Sequence, residues 1–112
     1  MREAQALVDT GATSTAIAPW LADELGLEPM GRRVIGTAAG QRRATAYRFS
    51  LGFQASALLA PSGLTAGPVF LPNEVYGIDF TEGIDFQILI GMDILAKGSF
   101  EMHPDHRWRF AF

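Results

Sequence analysis

The feature that most constrains this 112-residue chain is a short apolar run that leads directly into Asp-Thr-Gly. Leu7 and Val8 favour β-structure, and Asp9, Thr10 and Gly11 follow at once. Such a run predicts a buried strand that ends in a tight turn. Thr10 can hydrogen-bond within the turn, and Gly11 permits a close backbone approach or a positive φ. The segment therefore predicts a carboxylate held in fixed geometry, and the tripeptide occurs once in the chain.

A second segment lies late in the chain, where an apolar strand from Ile88 to Ile90 meets Gly91, Met92 and Asp93 before a short helix. The two segments, in this order and about eighty residues apart, resemble those of the aspartic proteases of the single-domain, retroviral-like type, the retropepsins. The resemblance runs from Leu7 to the last strand. It implies a mostly β fold, a closed retropepsin-like β-barrel with one or two short helices.

Composition and net charge argue against several other classes of protein. Apolar residues make up 48% of the chain and charged residues 19%, which predicts one ordered domain over residues 1–112. A net charge of −3 gives no basic footprint for nucleic acid, and the Arg32-Arg33 and Arg42-Arg43 pairs are interpreted as solvation of strand edges. The absence of cysteine excludes disulfides, thiolate metal sites and a cysteine nucleophile.

Two further patterns concern location. The sequence has no run of 18 apolar residues, so no membrane span is expected within this segment. No signal peptide is visible, which leaves the compartment undetermined.

Only eight residues precede Asp9, where the retroviral enzymes have a further strand that helps to join the dimer. We therefore expect either a trimmed N-terminal strand or a dimer that is built differently.

The predicted elements follow from periodicity and from breakers. Pro19 opens a helix that runs to Leu25 and ends at Gly26, with Trp20 and Leu21 sharing its buried face with Leu25. The C-terminal residues predict a hairpin that turns at residues 104–105. The remaining predictions are strands at residues 5–10, 33–35, 41–51 and 86–90, short strands with turns over 52–83 (one of them at 69–71), and a helix at 93–97.

The resemblance implies that Asp9 is the catalytic carboxylate. Two carboxylates about 3 Å apart cannot both ionise, so they share a proton, and aspartic proteases are the established case. One Asp-Thr-Gly per chain then requires a second chain, which predicts a two-fold homodimer acting on polypeptide. In the family, Thr10 hydrogen-bonds across the axis and Gly11 offers its carbonyl to the substrate backbone. Ala12, the next residue of the loop, is assigned to the substrate site.

The segment Gly36-Thr37-Ala38-Ala39-Gly40 resembles the flap, a hairpin tip that folds over bound peptide, although an ordinary β-turn explains it too. Leu89, with Val34 and Ile35, either lines a side-chain pocket or belongs to the core. By the same resemblance Asp93 is structural and braces the active-site loop, while Gly91 permits the sharp turn from strand to helix.

No cofactor or metal is predicted. His103 and His106 flank Pro104-Asp105, and turn chemistry explains this cluster. Two departures from the viral pattern, Thr13-Ser14 in place of an acidic pair and Met92 in place of arginine, are closer to cellular proteases, bacterial ones included. The alternative function is a catalytically inactive retropepsin-like module for dimerisation or peptide binding.

Overall fold

The computed structural model describes residues 2–54, 68–80 and 85–112. These residues form ten strands and two short helices, which confirms a mostly β chain. The elements are β1 (Ala6–Val8), β2 (Ala16–Ile17), α1 (Pro19–Glu24), β3 (Pro29–Thr37), β4 (Gly40–Phe49), β5 (Gly52–Gln54), β6 (Pro68–Phe70), β7 (Val75–Asp79), β8 (Ile88–Ile90), α2 (Met92–Leu95), β9 (Ser99–Met102) and β10 (Trp108–Ala111). The predictions for residues 55–67 and 81–84 lie outside the described residues.

Six strands form one sheet in the order β1-β8-β2-β7-β4-β3. β1 pairs with β8 in parallel, as does β2 with β7, and the other neighbours are antiparallel. The predicted closed barrel is wrong, because this sheet is not closed. Its edge strands β1 and β3 lie at opposite ends of the order, and within the described residues the other four strands form only two antiparallel pairs, β5 with β6 and β9 with β10.

The two helices form where the sequence predicts them. Pro19 occupies the first turn of α1, and Gly26, with a φ of 66°, follows its end. Leu21 is buried as expected, but Trp20 and Leu25 are exposed, so the predicted buried face is wrong for both. A helix of six residues makes fewer than two turns, which leaves room for only a narrow buried stripe.

The core lies between one face of the sheet and the two helices. The sheet contributes Ile17, Val75, Ile88 and Ile90, and the helices contribute residues that include Ile94. Each such side chain gains roughly 1.5–3 kcal/mol when it leaves water, so this layer fixes the helices against the sheet. The core thus anchors the strand ends on which the candidate site is built.

A charged pair adds a contact between the β3–β4 hairpin and the end of β7, beyond the ladder that joins β4 to β7. Arg42 Nη1 lies 3.3 Å from Asp79 Oδ1, and Arg42 also donates to the Asp79 carbonyl oxygen. Asp79 Oδ1 accepts from the Thr45 backbone N–H at 3.1 Å, which continues the contact between β4 and β7 beyond their ladder. Burial raises the pKa of the neighbouring Tyr47 phenol, and the carboxylates of Asp79 and Asp23 raise that pKa further.

Candidate active site

Asp9 lies directly after β1, as the sequence predicts, but Ala6 and Leu7 are exposed, so the prediction that this strand is buried is wrong. The Asp9 backbone N–H donates to the Ile90 carbonyl at 2.9 Å, so the contact with β8 continues up to the carboxylate. Its Oδ1 accepts from the Gly11 N–H at 2.9 Å, and the Ala12 N–H donates to the Asp9 carbonyl at 3.2 Å. A Cβ added to Gly11 would stand 3.2 Å from Asp9 Oδ1, so a larger residue would crowd the carboxylate. Asp9 is therefore half-buried and held in a tight turn.

The segment after β8 supports this turn from the other side. The Met92 N–H donates to the Ala12 carbonyl at 2.8 Å, which ties the start of α2 to the Asp9 loop. A Cβ on Gly91 would lie 2.8 Å from the Ser14 carbonyl carbon and oxygen. Such distances are shorter than van der Waals contact, so only glycine fits where the two backbones cross.

A buried hydroxyl joins the two segments. The Thr15 hydroxyl donates to Asp93 Oδ1 at 2.8 Å and accepts from the Gly91 N–H at 3.1 Å. The Thr15 N–H donates to Asp93 Oδ2 at 3.0 Å, and the Ile94 N–H donates to Asp93 Oδ1 at 2.9 Å. The Asp93 carboxylate thus accepts three hydrogen bonds, in agreement with the structural role that the resemblance implies for it.

Sequence reasoning did not single out Thr15. It is fully buried, and it opens a run of four buried residues that ends at Ala18. A lone hydroxyl at the start of an otherwise apolar run is the signal that could have identified it, because a buried hydroxyl needs a partner.

Leu89 lies on the face of the sheet opposite the core. It pairs with Leu7 in β1 and with Ala16 in β2, and residues paired across a sheet share a face. Leu7 is 42% exposed and Leu89 is half-buried, and neither belongs to the core cluster. An apolar surface thus adjoins Asp9, since Leu7 precedes Asp9 by two residues.

The predicted flap segment is the tip of the β3–β4 hairpin. β3 continues through Gly36 to Thr37 and β4 begins at Gly40, so the turn contains only Ala38 and Ala39 rather than the whole five-residue segment. Gly40 has a φ of 119°, a conformation that residues with a Cβ rarely adopt. Gly36, Ala38, Ala39 and Gly40 are all exposed.

The histidine-containing turn joins β9 to β10. His103 follows β9, its N–H donates to the Arg107 carbonyl at 2.8 Å, and its Nε2 lies 3.8 Å from Glu101. No group of three or more His, Asp or Glu side chains suited to a metal ion occurs in the ranges that the structure describes. In those same ranges no helix is long and apolar enough to cross a membrane.

A sequence model of the family described as aspartyl protease matches residues 2–94. The chain belongs to this retropepsin-like aspartyl protease family. The match spans the Asp9 loop, the β3–β4 hairpin and Asp93, and it ends before the β9–β10 hairpin. Comparison with curated proteins gave no match, and neither did comparison with solved structures.

In this member of the family, two other carboxylates near the sheet already have partners. Asp93 accepts from Thr15 and from the start of α2, and Asp79 accepts from Arg42 and Thr45. Asp85 is exposed in the segment that leads to β8. Thr10 is exposed, and its hydroxyl bonds to no residue in the part of the chain that the structure describes.

Proposed function

We propose that the chain is an aspartic endopeptidase that works as a homodimer, with one Asp9 from each protomer at the two-fold axis. The observation that carries the proposal is the Asp9 loop, in which a half-buried carboxylate is held by β8 and by its own turn. Membership of the aspartyl protease family supports hydrolysis of peptide bonds.

In the proposed reaction the two Asp9 side chains share one proton. The ionised carboxylate takes a proton from a water molecule, whose oxygen attacks the scissile carbonyl carbon. The protonated carboxyl donates to the carbonyl oxygen, where negative charge develops. Collapse of the tetrahedral intermediate breaks the C–N bond, and the departing nitrogen receives the proton that the first carboxylate took from water, which leaves one shared proton on the pair. Each protomer supplies one carboxylate, so neither chain alone contains both the acid and the base.

The rest of the site has roles that fit this reaction. Thr10 is proposed to hydrogen-bond across the axis, and the Gly11 carbonyl and Ala12 to contact substrate backbone. Leu89 and Leu7 would accept apolar substrate side chains near the scissile bond. The hairpin tip, from Gly36 through Thr37, Ala38 and Ala39 to Gly40, would cover the bound peptide by backbone contacts.

The test is cleavage of an unstructured protein by the wild type and by Asp9→Asn. We expect loss of cleavage in the variant with unchanged far-UV circular dichroism, because the amide can neither share a proton nor act as a base. The wild-type rate should follow an acid-shifted or bell-shaped pH profile and be inhibited by pepstatin but not by a chelator. A rate that rises steadily above neutral pH would contradict the mechanism. Peptide binding without cleavage would instead identify the inactive binding module.

A further inference from the structure

The β3–β4 hairpin concentrates positive charge in a chain whose net charge is negative. Residues 29–49 contain five of the nine lysines and arginines and none of the twelve acidic residues. Two of these arginines have partners outside the hairpin: Arg42 with Asp79 at 3.3 Å and Arg48 with Glu74 at 2.7 Å. The other three, Arg32, Arg33 and Arg43, are exposed and make no ion pair with any described residue. The hairpin therefore presents cations that a ligand could neutralise.

The strand register shows which of these arginines lies on the same face of the sheet as the apolar residues beside Asp9. Ala16 lies opposite Leu89 and also opposite Ile78, and Ile78 lies opposite Ala46. Residues paired across strands share a face, so this row continues the face of Leu7 and Leu89 as far as β4, with Ala16 and Ala46 buried along it. Within β4, Ala44 shares the face of Ala46 because side chains alternate. Arg33 pairs with Ala44, so Arg33 belongs to that same face.

The remaining two exposed arginines lie on the opposite face. Arg43 pairs with Val34 and Arg32 pairs with Thr45, and both positions alternate with Arg33 or Ala44 along their strands. Arg42 shares the face of Arg33, but its guanidinium is already bound to Asp79. On the face that leads to Asp9, Arg33 is thus the hairpin cation that has no partner in the described part of the chain.

We infer that Arg33 is a specificity-determining residue that binds a carboxylate side chain of the substrate, so that the preferred substrates are acidic polypeptides. This inference rests on the proposed function only for the place where the peptide binds, beside Asp9. A guanidinium binds a carboxylate through two parallel hydrogen bonds, which distinguishes Glu or Asp from their amides. The apolar Leu7 and Leu89 surface lies beside Asp9, whereas Arg33 lies on β3, four strands from β8 and five strands from β1 in the sheet order. The acidic residue is therefore expected away from the scissile bond.

The experiment measures peptide binding to the Asp9→Asn protein, so that the peptide is not cleaved during the measurement. Fluorescein-labelled octapeptides share an apolar centre and carry either Glu or Gln at one outer position, which is scanned along the series. We expect one position at which Glu lowers the Kd roughly two- to fivefold relative to Gln, the range for a partly exposed ion pair. Raising sodium chloride from about 50 mM to about 500 mM should reduce this preference.

Matched variants of the same hairpin provide the control. Arg33→Gln in the Asp9→Asn background should abolish the preference for Glu, and Arg33→Lys should retain part of it. Arg43→Gln removes an equal charge from the opposite face and should leave the preference intact. An equal loss in the Arg33 and Arg43 variants, or no Glu preference at any position, would overturn the inference. So would a single-stranded oligonucleotide that binds more tightly than every peptide and is weakened equally by both variants.

This design separates the inference from the proposed function. A wild type that cleaves no substrate, together with an Arg33-dependent Glu preference in binding, contradicts the protease proposal and supports the role of Arg33. A wild type that cleaves Glu and Gln peptides equally well, with equal Kd values in the Asp9→Asn protein, supports the protease proposal and contradicts the role of Arg33.

Discussion

A single buried hydroxyl links the two segments that build the candidate site. Among the described residues, Thr15 is the buried polar side chain, and it both donates to Asp93 and accepts from Gly91. A buried donor that loses its partner retains the full cost of its desolvation. The loop that carries Asp9 therefore depends on a residue that contacts no substrate.

Replacing Thr15 with valine, which keeps the shape but removes the hydroxyl, should destabilise the fold by about 1–3 kcal/mol. The buried Gly91 N–H would lose its acceptor, and the part-buried Asp93 Oδ1 would lose one of its two hydrogen bonds. Urea unfolding should give a lower midpoint with an unchanged m-value. Thr13→Val, at an exposed position of the same loop, is the control and should change stability by less than about 0.5 kcal/mol. Equal stability of the two variants would contradict the bracing role.

Gly91→Ala should destabilise the fold and displace the Asp9 loop, because the new Cβ would stand 2.8 Å from the Ser14 carbonyl. Overpacking of this kind typically costs about 1–3 kcal/mol. Gly36→Ala is the matched control, since nothing lies within 4 Å of its Cβ position. Thermal unfolding compares their stabilities, and amide chemical shifts near Asp9 should move only in Gly91→Ala. A Gly91→Ala protein with wild-type stability would refute the close crossing.

At the scale of elements, the stem of the β3–β4 hairpin offers two ion pairs that differ in burial. The side chains of Arg42 and Asp79 are 27% and 22% exposed, whereas those of Arg48 and Glu74 are 50% and 53% exposed. The second pair is the shorter, at 2.7 Å against 3.3 Å. Water screens exposed charges, so burial rather than distance should set their relative strength.

Double-mutant cycles should therefore give a larger coupling energy for the Arg42–Asp79 pair. We expect about 1 kcal/mol for that pair and about 0.3 kcal/mol or less for the Arg48–Glu74 pair. The variants are Arg42→Gln with Asp79→Asn and Arg48→Gln with Glu74→Gln, each measured by urea unfolding as singles and as a double. A stronger coupling in the exposed pair would show that distance outweighs solvent screening here.

The elements also show how far the sequence determines the fold. Local chemistry predicted α1, because Pro19 and Gly26 mark its start and end, and it predicted β1, β8 and the final hairpin. It overestimated the turn between β3 and β4, since small residues can also extend strands. Closure of a barrel depends on pairing between distant edge strands, which no local pattern encodes, and that prediction was wrong.

The candidate site likewise contains residues that the local sequence predicts and residues that it does not. Asp9 and Gly11 were predicted from their own neighbourhood, and the structure gives them the tight turn expected. The contacts of Thr15 join positions 76 and 78 residues apart in sequence, so no local pattern could reveal them. The structural role of Asp93 could be predicted only from the resemblance to a family, because its partner Thr15 lies 78 residues away in the sequence.

For the whole molecule, the remaining question is where the second carboxylate comes from. Asp79 and Asp93 have partners within the chain, so neither is free to face Asp9. The C-terminal hairpin leaves Trp108 and Phe112 nearly half exposed, at 47% and 45%. Exposed aromatic side chains on a terminal strand favour association, and pairing of two copies through this hairpin stays a prediction.

Activity should consequently require two intact Asp9 residues on two chains. When wild-type chains are equilibrated with a ninefold excess of Asp9→Asn chains, random pairing should reduce activity per wild-type chain to roughly one tenth. Arg43→Gln chains, which keep Asp9, are the matched control and should not suppress activity. Specific activity should also fall on dilution below the dimer dissociation constant, measured by sedimentation velocity. If activity per wild-type chain stays constant in the mixture although sedimentation shows mixed dimers, one chain must carry out the chemistry alone, and Asp85 is then the first carboxylate to replace.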